Sequence, residues 1–199
     1  MKKSIIYSLT LIILFVFSSA TAQDVTLNLS EIQQFKIDGD SNVKSWDADV
    51  TEATAILTLS DIENITLEAL TPETIQSLVI TIPVSGIQSD SGRLTKNMHE
   101  YLKMDDHPQI TYQLTDVTSV EYDGEIALIT ADGVINVAGV ELPVTMNVEA
   151  AVSADGVISF SGSQDLLMTS FDIDPPTAVL GTIRAHDEIT ILHQVSFSR

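Results

Sequence analysis

The 199-residue chain contains no cysteine. That excludes disulfides, thiolate metal sites and thiol nucleophiles, and an exported form would draw its stability from its core alone. Positive charge is scarce as well: 9 Lys+Arg stand against 28 Asp+Glu, a net charge of −19. Such a surface repels phosphate backbones and anionic lipid headgroups, so no nucleic-acid partner and no stable membrane anchor are expected. Large rings are few, with one Trp, four Tyr and six Phe, so each of them matters to the interior. The chain also lacks a G-x-S-x-G elbow, an H-E-x-x-H pair and a glycine-rich phosphate loop. No other arrangement of its Ser, Asp and His residues is specific to a reaction.

One long apolar run is present, Ile5 to Phe17, behind Lys2 and Lys3. It is shorter than the roughly 20 residues that span a bilayer. Ala20 and Ala22 stand at the −3 and −1 positions of a cleavage site before Gln23. Residues 1–22 therefore read as a signal peptide and 23–199 as one mature domain, with a periplasmic or secreted location. Cleavage would remove two lysines and no acid, leaving 7 Lys+Arg against 28 Asp+Glu, a charge of −21.

Beyond that segment the chain alternates apolar and polar residues. Ala53, Ala55, Leu57 and Leu59 share a face, as do Leu78, Ile80, Ile82 and Val84, and Ile110, Tyr112 and Leu114. Val140, Leu142, Val144, Met146 and Val148 form the longest such row, and Ile189, Ile191, His193, Val195 and Phe197 the last. A period of two means strands with one buried and one wet face. Pro143 falls on a wet face and cannot donate to a ladder, so its strand is expected to be an edge or to bulge there. Asp-Gly pairs at 123–124, 132–133 and 155–156, with Ala-Gly at 138–139, read as turns. Eight to ten short strands in one domain predict a sandwich or a barrel.

Two segments depart from this pattern. "TPETIQS" (71–77) reads as one helical turn, with Thr71 as N-cap and Pro72 in the first helical position. "RLTKNMHEYLKMDDHPQI" (93–110) has helical spacing: Leu94, Met98, Tyr101 and Leu102 make one apolar face. The helix is expected to stop before Pro108 and to cap or flank one end of a barrel. His99 reads as solvent-facing, and the acidic link that carries His107 as solvated surface. His186 also reads as surface, whereas parity turns His193 inward, either as a hydrogen-bonded core histidine or as a contact to a ligand.

The stretches "FKIDGDSNVKSW" (35–46), "VITIPVSGIQSDSGRLTKNMHEYLKMDDHPQITYQLTDV" (79–117), "GVINVAGVELPVTMNV" (133–148) and "FDIDPPTAVLGTIRAHDEITILHQVSF" (171–197) resemble the YceI family in order and spacing. The resemblance implies an all-β fold: an eight-stranded antiparallel, lipocalin-like barrel with one short amphipathic helix near its mouth. It also implies an exported protein that binds an isoprenoid or fatty chain in a hydrophobic tunnel, and not an enzyme. Many members carry an Arg-Asp pair where this chain has Arg93-Leu94, and an arginine where it has Met168 or Thr169, which implies a more apolar tunnel here. The candidate ligand contacts are Phe35, Trp46, Ile82, Leu94, Met98, Tyr101, Leu102, Tyr112, Phe160, Met168, Phe171 and His193. No catalytic residue, metal or cofactor is expected, and the partner is an apolar lipid. Monomer and homodimer both stay open. A closed, ligand-free barrel serving as a stress-response or interaction module, or a hydrolase or isomerase, are the competing readings.

Overall fold

The period-two runs become the strands of one sheet. A computed structural model describes residues 24–199 except Asp61, Glu63 and Val179; the expected signal segment lies outside the described residues. In chain order the strands are β1 (Val25–Ser41), β2 (Trp46–Val50), β3 (Thr54–Leu59), β4 (Ile75–Pro83), β5 (Ile87–Gln88), β6 (Gln109–Asp123), β7 (Ile126–Val137), β8 (Val140–Val152), β9 (Ile158–Leu167), β10 (Thr177–Ala178) and β11 (Ile183–Ser198). One α-helix, α1 (Gly92–Tyr101), lies between β5 and β6.

Eight of these strands close an antiparallel barrel. The order around it is β1, β11, β9, β8, β7, β6, β4 and β3, and β3 pairs again with β1. The short strands β2, β5 and β10 extend the sheet at one end, on the upper part of β1 and at the start of β11. Each of the eight strands pairs with a neighbour on both sides over part of its length, and closure follows from the alternation: each strand offers one apolar row to a shared interior.

The two ends differ. The lower end is packed solid by Leu27, Leu57, Leu59, Leu70, Ile158 and Phe197, with Ile65 and Leu67 of the 60–74 loop packed against them. Tyr122 Oη donates to the backbone oxygens of Leu70 (2.9 Å) and Glu68 (3.2 Å), which ties that loop to β6. The segment read as a helical turn at 71–77 is a single turn over 72–74 that runs straight into β4; Thr71 O accepts from Thr74 N and Ile75 N. The upper end carries α1, the 42–45 loop and the 168–182 segment. Two smaller clusters support it, one on Ala48, Val50, Ile82 and Ile87, the other on Val137, Met168, Phe171 and Ile173.

Local sequence explains most boundaries. Ser91 caps α1, its side chain accepting from Leu94 N. The helix ends well before Pro108, because Lys103 takes a left-handed conformation (φ 54°) and breaks the helical path. Ala138 (φ 52°) and Gly139 (φ 86°) form the two-residue hairpin turn between β7 and β8, where two positive φ values match the twist of the flanking strands. The Asp-Gly pair at 132–133 is not a turn. It lies inside β7, paired with Thr145 and Val144 of β8, and its glycine serves a packing purpose described below. Among the described residues no helix is long and apolar enough to cross a membrane.

Candidate functional site

A cavity of about 840 Å³ lies inside the barrel, between the packed lower cluster and α1. Its wall is almost wholly aliphatic and aromatic. Polar side chains gather at the mouth, where Ser41, Lys44, Ser89, Asp90, Ser91, Arg93 and Asn97 border the opening. The lower cluster closes the space at one end, and Leu94, Met98 and Tyr101 of α1 border it at the other.

All twelve candidate contacts border this cavity. Phe160 forms part of the floor, with its ring edge-on to Phe197 at 5.7 Å between centroids. Phe35, Ile82, Tyr112 and His193 stand on the walls. Met168 and Phe171, both buried, close the roof beside β9. Trp46, Leu94 and Tyr101 form the rim. Met98 and Leu102 point from α1 into the clusters beneath it; Leu102 packs against both upper clusters and so anchors the helix.

Tyr112 and His193 are the polar groups of interest. The strands β6 and β11 are four steps apart in either direction around the eight-strand ring, so these side chains face each other across the lumen. Neither has a hydrogen-bond partner among the described residues. Burial, reinforced by the negative charge of Asp132, pushes the Tyr112 hydroxyl up to about 12, so it stays a neutral donor in any ordinary medium. Burial lowers the His193 pKa, which keeps the imidazole neutral, with one nitrogen donating and the other accepting. The walls thus offer two uncharged hydrogen-bonding groups in an apolar space.

Both rings lie flat because glycines make room for them. A Cβ added at Gly133 would stand 2.6 Å from Tyr112 Oη and nearer still to its ring carbons. A Cβ at Gly162 would stand 3.1 Å from the His193 ring and 3.1 Å from Asn147 O. Trp46 covers Gly39 in the same way at the rim, where its indole N–H donates to Asp40 O (3.2 Å). Sequence reasoning missed these glycines. A glycine inside a strand often marks the close approach of another group, and that was the available signal.

Two histidine expectations are corrected. His99 does not face solvent: its Nε2 is 2.8 Å from Ile87 O and ties α1 to β5. His107 is not free surface either: it is half-buried, with its ring over Gly139. His186 is exposed. Sequence reasoning also left out much of the aliphatic wall, including Leu57, Leu78, Ile80, Leu114, Ile135, Val148 and Ile191. The same period of two that gave the strands had already turned most of them inward. Among the described residues no three His, Asp or Glu side chains converge as a metal site.

With this geometry in place, comparison with known proteins gives a consistent answer. The family model described as the YceI-like domain matches residues 35–197. The chain belongs to the YceI family. Solved structures share its fold at low identity. Burkholderia cenocepacia BcnA is 15% identical over 81% of this chain and 95% of its own, with a TM-score of 0.58. The Campylobacter jejuni YCEI protein is 17% identical over 76% and 84%, with a TM-score of 0.56. A polyisoprenoid binding domain from Saccharophagus degradans, implicated in plant cell wall breakdown, is 10% identical over 86% and 97%, with a TM-score of 0.59. No curated protein matches the chain.

Proposed function

We propose that this YceI-family barrel binds a long, largely apolar molecule, an isoprenoid or fatty chain, and sequesters or carries it without chemistry. The observation that carries this reading is the apolar cavity of about 840 Å³, shut at the floor and open at the rim. A close-packed interior, the competing reading, does not accord with a space of that size. At about 30 Å³ per water-sized group, the cavity has room for roughly 28 heavy atoms. At about 0.8 kcal/mol per buried methylene, filling it would supply on the order of 20 kcal/mol. Association costs about 4–15 kcal/mol. Apolar burial alone therefore suffices for binding, and the polar groups serve for orientation. The polyisoprenoid ligand of the Saccharophagus degradans neighbour supports the same ligand class.

In this reading the twelve candidate residues are ligand contacts, together with the aliphatic wall around them. Tyr112 and His193 give one donor and one donor–acceptor to a neutral polar function such as a carbonyl or hydroxyl. The polar rim keeps the opening wet and accommodates a head group. The protein acts outside the cytoplasm after loss of its leader, where an acidic surface keeps it soluble while it shields a molecule that water does not dissolve. The test is extraction of protein purified from its native host, followed by lipid mass spectrometry, with uptake of a fluorescent fatty-acid probe by the emptied barrel. Co-purifying chain lipid and saturable uptake support the reading. An empty barrel that takes up no isoprenoid or fatty probe refutes it.

A further inference from the structure

The barrel wall is not continuous. β8 pairs with β9 from Val152↔Ile158 up to Val148↔Gly162, and there the described ladder stops. Above that point each strand continues, held only on its far side: β8 by β7 up to Val140, and β9 by β11 up to Leu167. The upper halves of β8 and β9 are therefore two facing edges inside a closed barrel. Pro143, which lacks an N–H, sits midway along one of them. Its place there satisfies the sequence expectation of a local edge, because a paired central strand would need the missing donor.

A cleft of about 380 Å³ lies in this seam. Leu142, Pro143, Val144 and Thr145 of β8 line it on one side and Gln164, Asp165, Leu166 and Leu167 of β9 on the other, with Ser170 and Glu188 beside them. Gln164 and Leu166 border both this cleft and the main cavity, so the two spaces meet at these side chains. Leu167 is 47% exposed at the outer lip. The 168–171 turn above the seam is fixed to the β11 side, because Thr169 N and Oγ1 both donate to the Asp187 carboxylate (2.9 and 2.6 Å).

We propose that this seam is a lateral portal, through which the end of an apolar chain passes out of the barrel when the chain is longer than the cavity. The inference rests on the ligand class proposed above and adds a second route to the same cavity. Opening the seam breaks no described strand-to-strand hydrogen bond; it parts the side chains of two strand edges. The lower gap between β4 and β6, where the described pairing ends at Val79↔Gln113, is a useful contrast. There the 60–74 loop and a fully buried Leu70 fill the space. The seam between β8 and β9 has side chains alone across it. Leu142, Val144, Leu166 and Gln164 stand on its inward face, and Thr145, Asp165 and Glu188 at its outer lip. An aliphatic inner passage with carboxylates at its outer lip selects an uncharged hydrocarbon end over an anionic one.

The absence of cysteine makes the test clean. Extrapolating the ladder upward puts Pro143 opposite Leu167, and both are exposed. The double variant Pro143→Cys/Leu167→Cys, bridged with a short bis-maleimide, closes the seam. The same protein left unbridged is one control. The other is Ala151→Cys/Ser159→Cys, bridged across a pair that the ladder already joins. Each is titrated with a series of saturated fatty alcohols that displace a fluorescent fatty-acid probe, from chains shorter than the cavity to chains well beyond it. The expected result is unchanged affinity for short chains, and at least tenfold weaker binding of long chains, only when the 143–167 bridge is closed. Equal binding of long chains by the bridged and unbridged seam overturns the portal while leaving the ligand reading intact. If neither probe nor alcohol binds to any of the proteins, the ligand reading falls and the portal with it.

Discussion

Gly133→Ala tests whether the lumen is open in solution. The glycine lies on the inner face of β7, and alanine is compatible with its extended backbone. Its added Cβ would come within 2.6 Å of Tyr112 Oη and closer to the ring. Ordinary carbon contacts are about 3.5–4.0 Å, so the phenol ring must move inward by roughly 1 Å. The cost depends on what stands behind it. In a close-packed core the displacement would cost about 1–3 kcal/mol. Against a cavity of about 840 Å³ the ring steps into free space, and alanine regains about 0.5–1 kcal/mol over glycine in a strand. Gly133→Ala should then change the unfolding free energy by less than about 1 kcal/mol. In a double-mutant cycle with Tyr112→Ala, measured by urea unfolding, coupling should stay within about 0.5 kcal/mol. Uptake of an apolar probe should nonetheless fall, because the ring now occupies the lumen. A loss of about 2 kcal/mol or more that disappears in the Tyr112→Ala background would refute the reasoning: it would show packed side chains behind the ring.

Other expectations follow from the same geometry. Burial holds His193 below its ordinary value of 6.5, so as pH falls through about 6.5 the unfolded chain gains this proton before the folded one. Stability should therefore drop from neutral pH down to the lowered value, and the difference between wild type and His193→Gln, from urea midpoints at each pH, should carry that slope; parallel curves would contradict it. Trp46 is the only tryptophan and sits on the cavity rim, so its fluorescence should shift to the blue as an apolar ligand is titrated in, and an unchanged spectrum on saturation would remove it from the binding surface. Leu70→Ala empties a fully buried position in the plugged lower end and should cost about 2–5 kcal/mol. Leu94→Ala at the half-buried rim should cost less than about 1 kcal/mol in the same denaturation assay, and a reversed order would mean that the rim, not the floor, holds the fold.

Much of this architecture was legible in the sequence, because a barrel writes itself as a period of two. The rows Leu78–Ile80–Ile82 and Ile110–Tyr112–Leu114 turn inward as their parity requires, and the row through His193 does the same on the opposite wall. Parity failed where one residue type serves two ends. Asp132-Gly133 has the composition of a turn, yet the glycine is there so that Tyr112 can lie against the wall; only the cross-strand register shows that use. His99 fell on the polar side of a helix and His107 in an acidic link, yet a backbone oxygen on β5 and a glycine on the β7–β8 turn bring each under cover. Both contacts join segments that the chain alone does not place side by side.

The seam shows the same limit from the other direction. Pro143 announced an interrupted ladder, and a proline on the wet face of a strand has two readings, an edge or a bulge. The structure selects an edge, and it does so through the partner strand. β9 is drawn away above Gly162 because its upper half follows β11 toward the anchored Thr169–Asp187 contact, while β8 stays with β7 to the tight turn at Ala138-Gly139. Two strands held firmly by different neighbours must separate somewhere, and they separate where the proline has no donor to lose. The local residue permits the gap and the distant register creates it, so a break in the wall next to the lumen follows from both and is contained in neither alone.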